Sequence, residues 1–278
     1  MQETKEANDS ATGTQLLDRA VAVLRYLGDV GQQGASMAAI GEALGLKQST
    51  AHRIVTALQR HGLIDRELHT KRYRLGLTLF AMGATAADGT GLRRLARPAL
   101  VRLSAETSDT LFLMARAGFN AVCVDRQEGT YFLDSLTGYV GGQIPLGVGP
   151  ASLAILAFLP DDEAEAIVCA NASRYDMYKG LSADRIRAAL PQVREQGYAV
   201  DQDELVAGIA AMAIPILPQG RDAVAAIAIN MTSPRLPPER LQQLLGLLRS
   251  EVRQIEEALN PLEGHRIAPL NKPAGLRV

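Results

Sequence analysis

The stretch from Gly45 to Leu75, GLKQSTAHRIVTALQRHGLIDRELHTKRYRL, constrains this chain more than any other. Within it Ala51, Ile54, Val55 and Leu58 recur at i, i+3, i+4 and i+7, the spacing of one buried helix stripe. The opposite face carries Gln48, Ser49, His52, Arg53 and Thr56. Gly62 ends the helix, and two short alternating segments, 63–66 and 72–75, are joined by 67–71 into a β-hairpin. A helix with a polar outer face beside a basic hairpin is suited to a DNA groove.

The charge must be read locally. All 278 residues together carry a formal net charge of -1, with a pI of about 6.4, which excludes a generally basic nucleic-acid binder. Inside the block, Lys47, Arg53, Arg60, Arg66, Lys71, Arg72 and Arg74 oppose only Asp65 and Glu67, a local excess of +5. That excess releases phosphate counterions while the remainder stays acidic.

Upstream, Leu17, Ala20, Val21, Leu24 and Leu27 predict a first helix that stops at Gly28 and Gly31. Ser36 offers an N-cap oxygen to a second helix with Met37, Ile40 and Leu44 on its buried side, and Gly45 supplies the turn. Residues 14–76 thus read as a winged helix-turn-helix, preceded by a polar lead, 1–13, expected to be disordered. The third helix directs its first turns towards the bases. Gln48 matches adenine and Arg53 guanine in a bidentate way. Lys47, Ser49, Thr50 and His52 are candidates for phosphate or base-edge contacts. Lys71 and Arg72 at the hairpin tip are expected to hold phosphates or reach the minor groove, so they position without specifying. Arg60 and Arg66 read equally well as intramolecular pairs.

A linker helix follows over 77–91, closing in the turn residues Asp88 to Gly91. The second domain, 92–260, opens with a helix to Thr107 and strand-like runs at 111–115, 121–125 and 131–136. A Gly-rich loop, 138–149, precedes helices at 151–158, 161–172 and 182–196. Strands at 211–217 and 223–231 flank Pro218 to Arg221, and a helix from Pro238 to Leu259 closes the domain. This order predicts an α+β sheet with helices on one face. The tail, 261–278, reads as disordered. No apolar run reaches the roughly 18 residues of a membrane span. The N-terminus lacks the basic-then-apolar order of a signal peptide, and Cys123 and Cys169, both among apolar neighbours, are expected as buried thiols. A cytoplasmic protein without membrane contact is expected.

The loop Gly141 to Gly149 can turn backbone N–H groups towards a ligand, and a helix starting near Pro150 would favour a carboxylate at its positive end. The loop by itself reads equally as a connector. An enzyme is not expected. The second domain has no histidine before His265 in the tail, which leaves no Ser-His or Cys-His pair and no histidine metal site. GYVGGQIPLGVG lacks the GxGxxG or GK[ST] spacing of a nucleotide loop, so neither cofactor nor metal is expected. Asp201, Asp203 and Glu204 hold carboxylates, but a DQDE run beside a turn reads first as a solvated loop. A ligand-free dimerisation module stays open as an alternative.

The segments LDRAVAVL (17–24), GLKQSTAHRIVTALQRHGLI (45–64), YRLG (73–76), GYAVDQDEL (197–205) and AAIAINMTSPR (225–235) resemble, in this order, the IclR family of bacterial transcription regulators. The resemblance implies a winged helix-turn-helix, a linker helix that pairs subunits, and a GAF-like effector-binding domain. It further implies a homodimer, commonly a dimer of dimers on operator DNA, controlled by a small-molecule effector. The implied pocket lies between Gly147, Val148 and Gly149 on one side and Asp201, Ala211, Ala228 and Asn230 on the other. This chain departs from the commoner pattern. PLGVGPASLA replaces a loop with a hydroxyl residue and a Gly-Lys pair, and Ala211 and Ala228 stand where Cys and Ser often occur. A roomier, less polar pocket for an aromatic or similarly apolar carboxylic acid is expected, with repression and activation both open.

Overall fold

A computed structural model describes residues 3–89, 91–131, 136, 139–218 and 222–259. The chain divides between Ala86 and Ala87 into two units.

The first unit contains α1 (Glu3–Val30), α2 (Met37–Ala43), α3 (Gln48–Arg60), β1 (Ile64–Arg66) and β2 (Tyr73–Leu75). Helix α1 runs back to Glu3, so the lead expected to be disordered is helical from there. Glu3, Lys5, Glu6 and Ala7 there are good helix formers. The buried stripe of α1 also differs from expectation. Val23 and Leu27 are buried, whereas Leu17 and Val21 are 64% and 37% exposed. A helix rich in Ala, Val and Leu offers two stripes at helical spacing, and only contact with α3 and β2 chooses between them.

Ser36 caps α2, its Oγ accepting the Ala39 N–H at 3.2 Å. Gly45, at φ +60, makes the left-handed turn into α3. Helix α3 then buries Ala51, Ile54, Val55 and Leu58, the last three in one core with Val23, Leu27, Ile40 and Ile64. Each large aliphatic group contributes about 1.5 to 3 kcal/mol of burial. Strands β1 and β2 pair antiparallel, Ile64 opposite Leu75 and Arg66 opposite Tyr73. On its other side Tyr73 exchanges two backbone hydrogen bonds with Ala35, of 3.0 and 2.8 Å. The hairpin is therefore tied back to the segment before α2. Gly76 ends the hairpin: a Cβ there would lie 2.2 Å from the Gly62 carbonyl oxygen. YRLG ends in glycine because two backbones touch.

The second unit begins within α4 (Leu77–Gly89) and continues through α5 (Leu92–Thr107) into a six-stranded antiparallel sheet. Its strands are β3 (Thr110–Ala117), β4 (Asn120–Gln127), β5 (Gln143–Pro145), β6 (Ala199–Gln202), β7 (Ile209–Ile216) and β8 (Ala225–Thr232), in the order β5-β4-β3-β8-β7-β6. The third strand expected at 131–136 falls mostly outside the described residues. Tyr131 and Leu136 sit in a bend and a turn, 132–135 lie outside the described residues, and β5 pairs with β4 instead. Strand β6 was not expected; four residues on a sheet edge are too few to display alternation.

Helices cover both faces of the sheet rather than one. Leu111 and Leu113 share a core with α5 and α9 (Pro238–Ala258). Phe112 and Met114 point the other way, into a core with α6 (Gly149–Ala157), α7 (Asp161–Tyr175) and α8 (Ala183–Gln196). Burial of every residue from Thr110 to Met114 is the signature of a strand covered twice. Cys123 is buried as expected, but Cys169 is exposed. Its apolar sequence neighbours Ile167 and Val168 occupy the inward face of α7, which leaves the thiol outside. The expected disordered tail, 261–278, lies outside the described residues.

Candidate DNA-binding face and ligand cavity

The outer face of α3 is built by subtraction. With Ala51, Ile54, Val55 and Leu58 committed to the core, helical geometry leaves Gln48, Ser49, His52, Arg53 and Thr56 exposed, with Lys47 at the N-cap and Thr50 half-buried. No hydrogen bond or ion pair within the first unit engages the side chains of Lys47, Gln48, Ser49 or Arg53 among the described residues. His52 Nδ1 lies 3.5 Å from the Thr56 hydroxyl.

The hairpin divides its cations between two tasks. Arg72 donates from one guanidinium nitrogen to the carbonyls of Gln33 at 3.1 Å and Gly34 at 3.0 Å. It ties the hairpin to the turn before α2, a role that the expected phosphate contact does not describe. Arg74 pairs with Glu67 at 3.1 Å, and Arg66 donates to the Lys71 carbonyl and lies over the Tyr73 ring, 5.5 Å from its centre. Arg66 is thereby an intramolecular residue. Lys71 sits at the tip with φ +59 and is exposed. Of the block's seven cations, Lys47, Arg53, Arg60 and Lys71 face outward without a side-chain partner among the described residues of the unit.

In the second unit a cavity of about 280 Å³ opens between the sheet and the start of α6. Of the seven residues expected there, Val148, Gly149, Asp201, Ala211, Ala228 and Asn230 line it. Gly147 does not; it lines a neighbouring cavity beside α8. Register explains the convergence. Asp201, Ala211 and Asn230 stand side by side across β6, β7 and β8, while Phe112 is opposite Ala228 on β3. Side chains that pair across a sheet share a face, so these project together.

The walls are largely apolar. Phe112 and Met114 form the floor, and Leu136, Leu205 and Val206 reach in from loops. None of these five was expected, although the period-two alternation of LFLMA places Phe112 and Met114 on one face. Two side chains are polar. The Asn230 amide has no protein partner among the described residues. Asp201 is half-buried, and burial pushes its carboxyl above the usual aspartate range, opposed by the Leu205 N–H donating to it at 3.5 Å. Helix α6 begins at the rim with no side-chain cap. Pro150 has no N–H, which leaves the amides of Gly149 and Ala151 at the positive end of the dipole.

The loop 146–149 is held from behind. The Tyr175 hydroxyl donates to the Leu146 carbonyl at 2.6 Å, and burial pushes its pKa up to about 12, which keeps it a donor. A Cβ on Gly147, at φ +102, would come within 3.0 Å of that hydroxyl. Nothing in the sequence around Tyr175 signals this role.

Residues 16–68 match the IclR helix-turn-helix domain, and residues 84–257 match the family description "Bacterial transcriptional regulator IclR C-terminal". The chain belongs to the IclR family of transcriptional regulators. It is similar to the HTH-type transcriptional regulator XynR of Escherichia coli, at 27% identity over 81% of this chain and 88% of that protein. The HTH-type transcriptional repressor AllR of Salmonella typhimurium is 29% identical over 89% and 90% of the two chains. Among solved structures, an IclR homologue from Microbacterium hydrocarbonoxydans complexed with 4-hydroxybenzoate superposes with a TM-score of 0.73, at 22% identity, over 88% of this chain and 98% of that one.

As an IclR regulator the chain combines a DNA-binding helix-turn-helix with a C-terminal effector domain, and these relatives are transcriptional regulators rather than enzymes. The acidic run 201–204 is engaged structurally. Asp203 accepts from the Gly208 N–H at 2.7 Å and the Ser233 hydroxyl at 2.6 Å, and Glu204 pairs with Arg185. No helix of the described residues is long and apolar enough to cross a membrane.

Proposed function

We propose that this IclR regulator senses a small aromatic carboxylic acid and converts its binding into a change of operator affinity. The observation that carries the reading is the composition of the cavity: an apolar floor at Phe112 and Met114, two polar side chains at Asp201 and Asn230, and the uncapped start of α6 at the rim. A ring fills the apolar part, and its carboxylate meets the Gly149 and Ala151 amides. Asp201, an acceptor when ionised, asks for a donor on the ligand such as a phenolic hydroxyl. A volume of about 280 Å³ sits at the small end of ligand pockets. The relative complexed with 4-hydroxybenzoate, a phenolic acid, supports the class.

On the DNA side, Gln48 and Arg53 read bases, while Lys47, Ser49, Thr50, His52 and Lys71 hold the backbone. The protein acts in the cytoplasm as a homodimer or dimer of dimers, paired through α4, and has no catalytic role. Calorimetry with matched aliphatic and aromatic acids tests the effector class. Heat and a raised melting temperature are expected with benzoate-type acids. Tight binding of glyoxylate-sized acids, with none of an aromatic acid, overturns the class.

A further inference from the structure

Beside the cavity described above lies a second one of about 440 Å³, between α8 and the start of α6. Gly149, Pro150, Asp201 and Leu205 line both. The two are therefore separated by a single layer of residues, and the loop 203–208 between β6 and β7 supplies the movable part of it. That loop is fixed at its base, where Asp203 holds the Gly208 N–H and the Ser233 hydroxyl. Towards its tip, Leu205 and Val206 face the inner cavity, and Glu204 reaches across the outer one to Arg185 on α8. Among the described residues this ion pair is the loop's side-chain link to α8.

We infer that the outer cavity is the route by which ligand reaches the inner one, and that the Arg185–Glu204 pair is the latch on that route. The inference rests on reading the inner cavity as the effector site. The pair's side chains are 50% and 61% exposed, and exposed pairs contribute little, so the latch opens without disturbing the fold. Release of Glu204 frees Leu205, the part of the shared wall that the loop supplies. Arg185 and Glu204 are accordingly access-determining residues, distinct from those that contact bound ligand.

The test needs no ligand, which separates its outcome from that of the effector reading. In a Cys169→Ser background, Ala228→Cys places a thiol on the inner cavity wall, and the rate of its modification by an uncharged methanethiosulfonate reports access. Glu204→Gln and Arg185→Gln should each speed modification roughly two- to five-fold, the range set by an exposed ion pair. The charge-exchanged double variant, Arg185→Glu with Glu204→Arg, should return the rate towards that of the parent. Gln192→Trp, on the solvent face of α8 in the outer cavity, should slow it. Rates unchanged by both latch variants and by Gln192→Trp, with acceleration by Leu136→Ala at the other rim, would overturn the route.

Discussion

Arg53 and Arg72 look alike in the sequence, two arginines in a basic block, yet they occupy opposite situations. Arg53 projects from α3 with no partner among the described residues of its unit, whereas Arg72 is spent on the Gln33 and Gly34 carbonyls. Arg53→Ala should weaken operator binding by about 1 to 3 kcal/mol and relax preference at one base pair. Lys71→Ala should weaken specific and random duplexes alike and lower the salt slope by about one. Arg72→Ala should instead lower the stability of the first unit by on the order of 1 kcal/mol, through the lost ties to the turn before α2. Salt-dependent gel shifts beside urea unfolding separate the three; an Arg72 variant of undiminished stability but lost DNA affinity would return that residue to the phosphates. Asp201 gives a second prediction. Its folded pKa is raised above the ordinary 3.8, so the folded chain holds this proton more tightly than the unfolded chain. Stability from this group therefore falls as pH rises from 3.8 through the folded pKa, and above it the whole cost of burying the charge is carried. Asp201→Asn should flatten that part of the curve, though only in part, because Glu256 is raised by burial in the same direction. Urea midpoints measured across this interval should show a smaller slope in the variant; equal slopes count against the assignment.

Elements were legible where many residues voted. The bounds of α5, Leu92 and Thr107, and the stripe of α3 are both legible in the sequence, because four or more apolar positions share one period. Short or two-faced elements were not. Strands β5 and β6, of three and four residues, exist because neighbours β4 and β7 offer an edge to pair with, a non-local fact. The two-sided burial of the sheet was hidden for a related reason: a continuous apolar run such as LFLM says that both faces are covered without saying by which helices. Six of the seven expected cavity residues lie on one cavity because the family resemblance carried them, while Phe112, Met114 and Leu205 needed the register and the loop. Helix α4 poses its own question. Leu77, Phe80 and Met82 are 77%, 73% and 57% exposed, and three large apolar groups on one short helix are an unfinished interface. Phe80→Glu should weaken self-association at least ten-fold, read by sedimentation equilibrium, and should leave monomer helicity unchanged. An unaltered dimer constant would remove α4 from the subunit contact.

Across the whole molecule, the residues proposed to contact DNA and those proposed to contact ligand belong to separate units, and the chain passes between them within α4, at Ala86 and Ala87. Any influence of ligand on operator affinity is a coupling free energy between two sites, which requires the ligand to bind two arrangements of the protein unequally. A continuous helix can carry such a difference, because a rotation or shift at one end is delivered to the other. A flexible segment cannot, since it absorbs the same displacement in its own torsions. A short Gly-Ser insertion between Ala86 and Ala87 should therefore separate three quantities that are joined in the natural chain. Calorimetry should find affinity for an aromatic acid within about two-fold of the parent value, since the cavity lies wholly in the second unit. Gel shifts should find a reduced affinity for a full operator, because two half-sites lose their fixed spacing, but a preserved affinity for an isolated half-site. The ratio of operator affinities with and without acid, several-fold to a hundred-fold in typical allosteric proteins, should fall to about one. If that ratio persisted while the acid and half-site affinities were retained, transmission would have to bypass α4 through contacts between subunits.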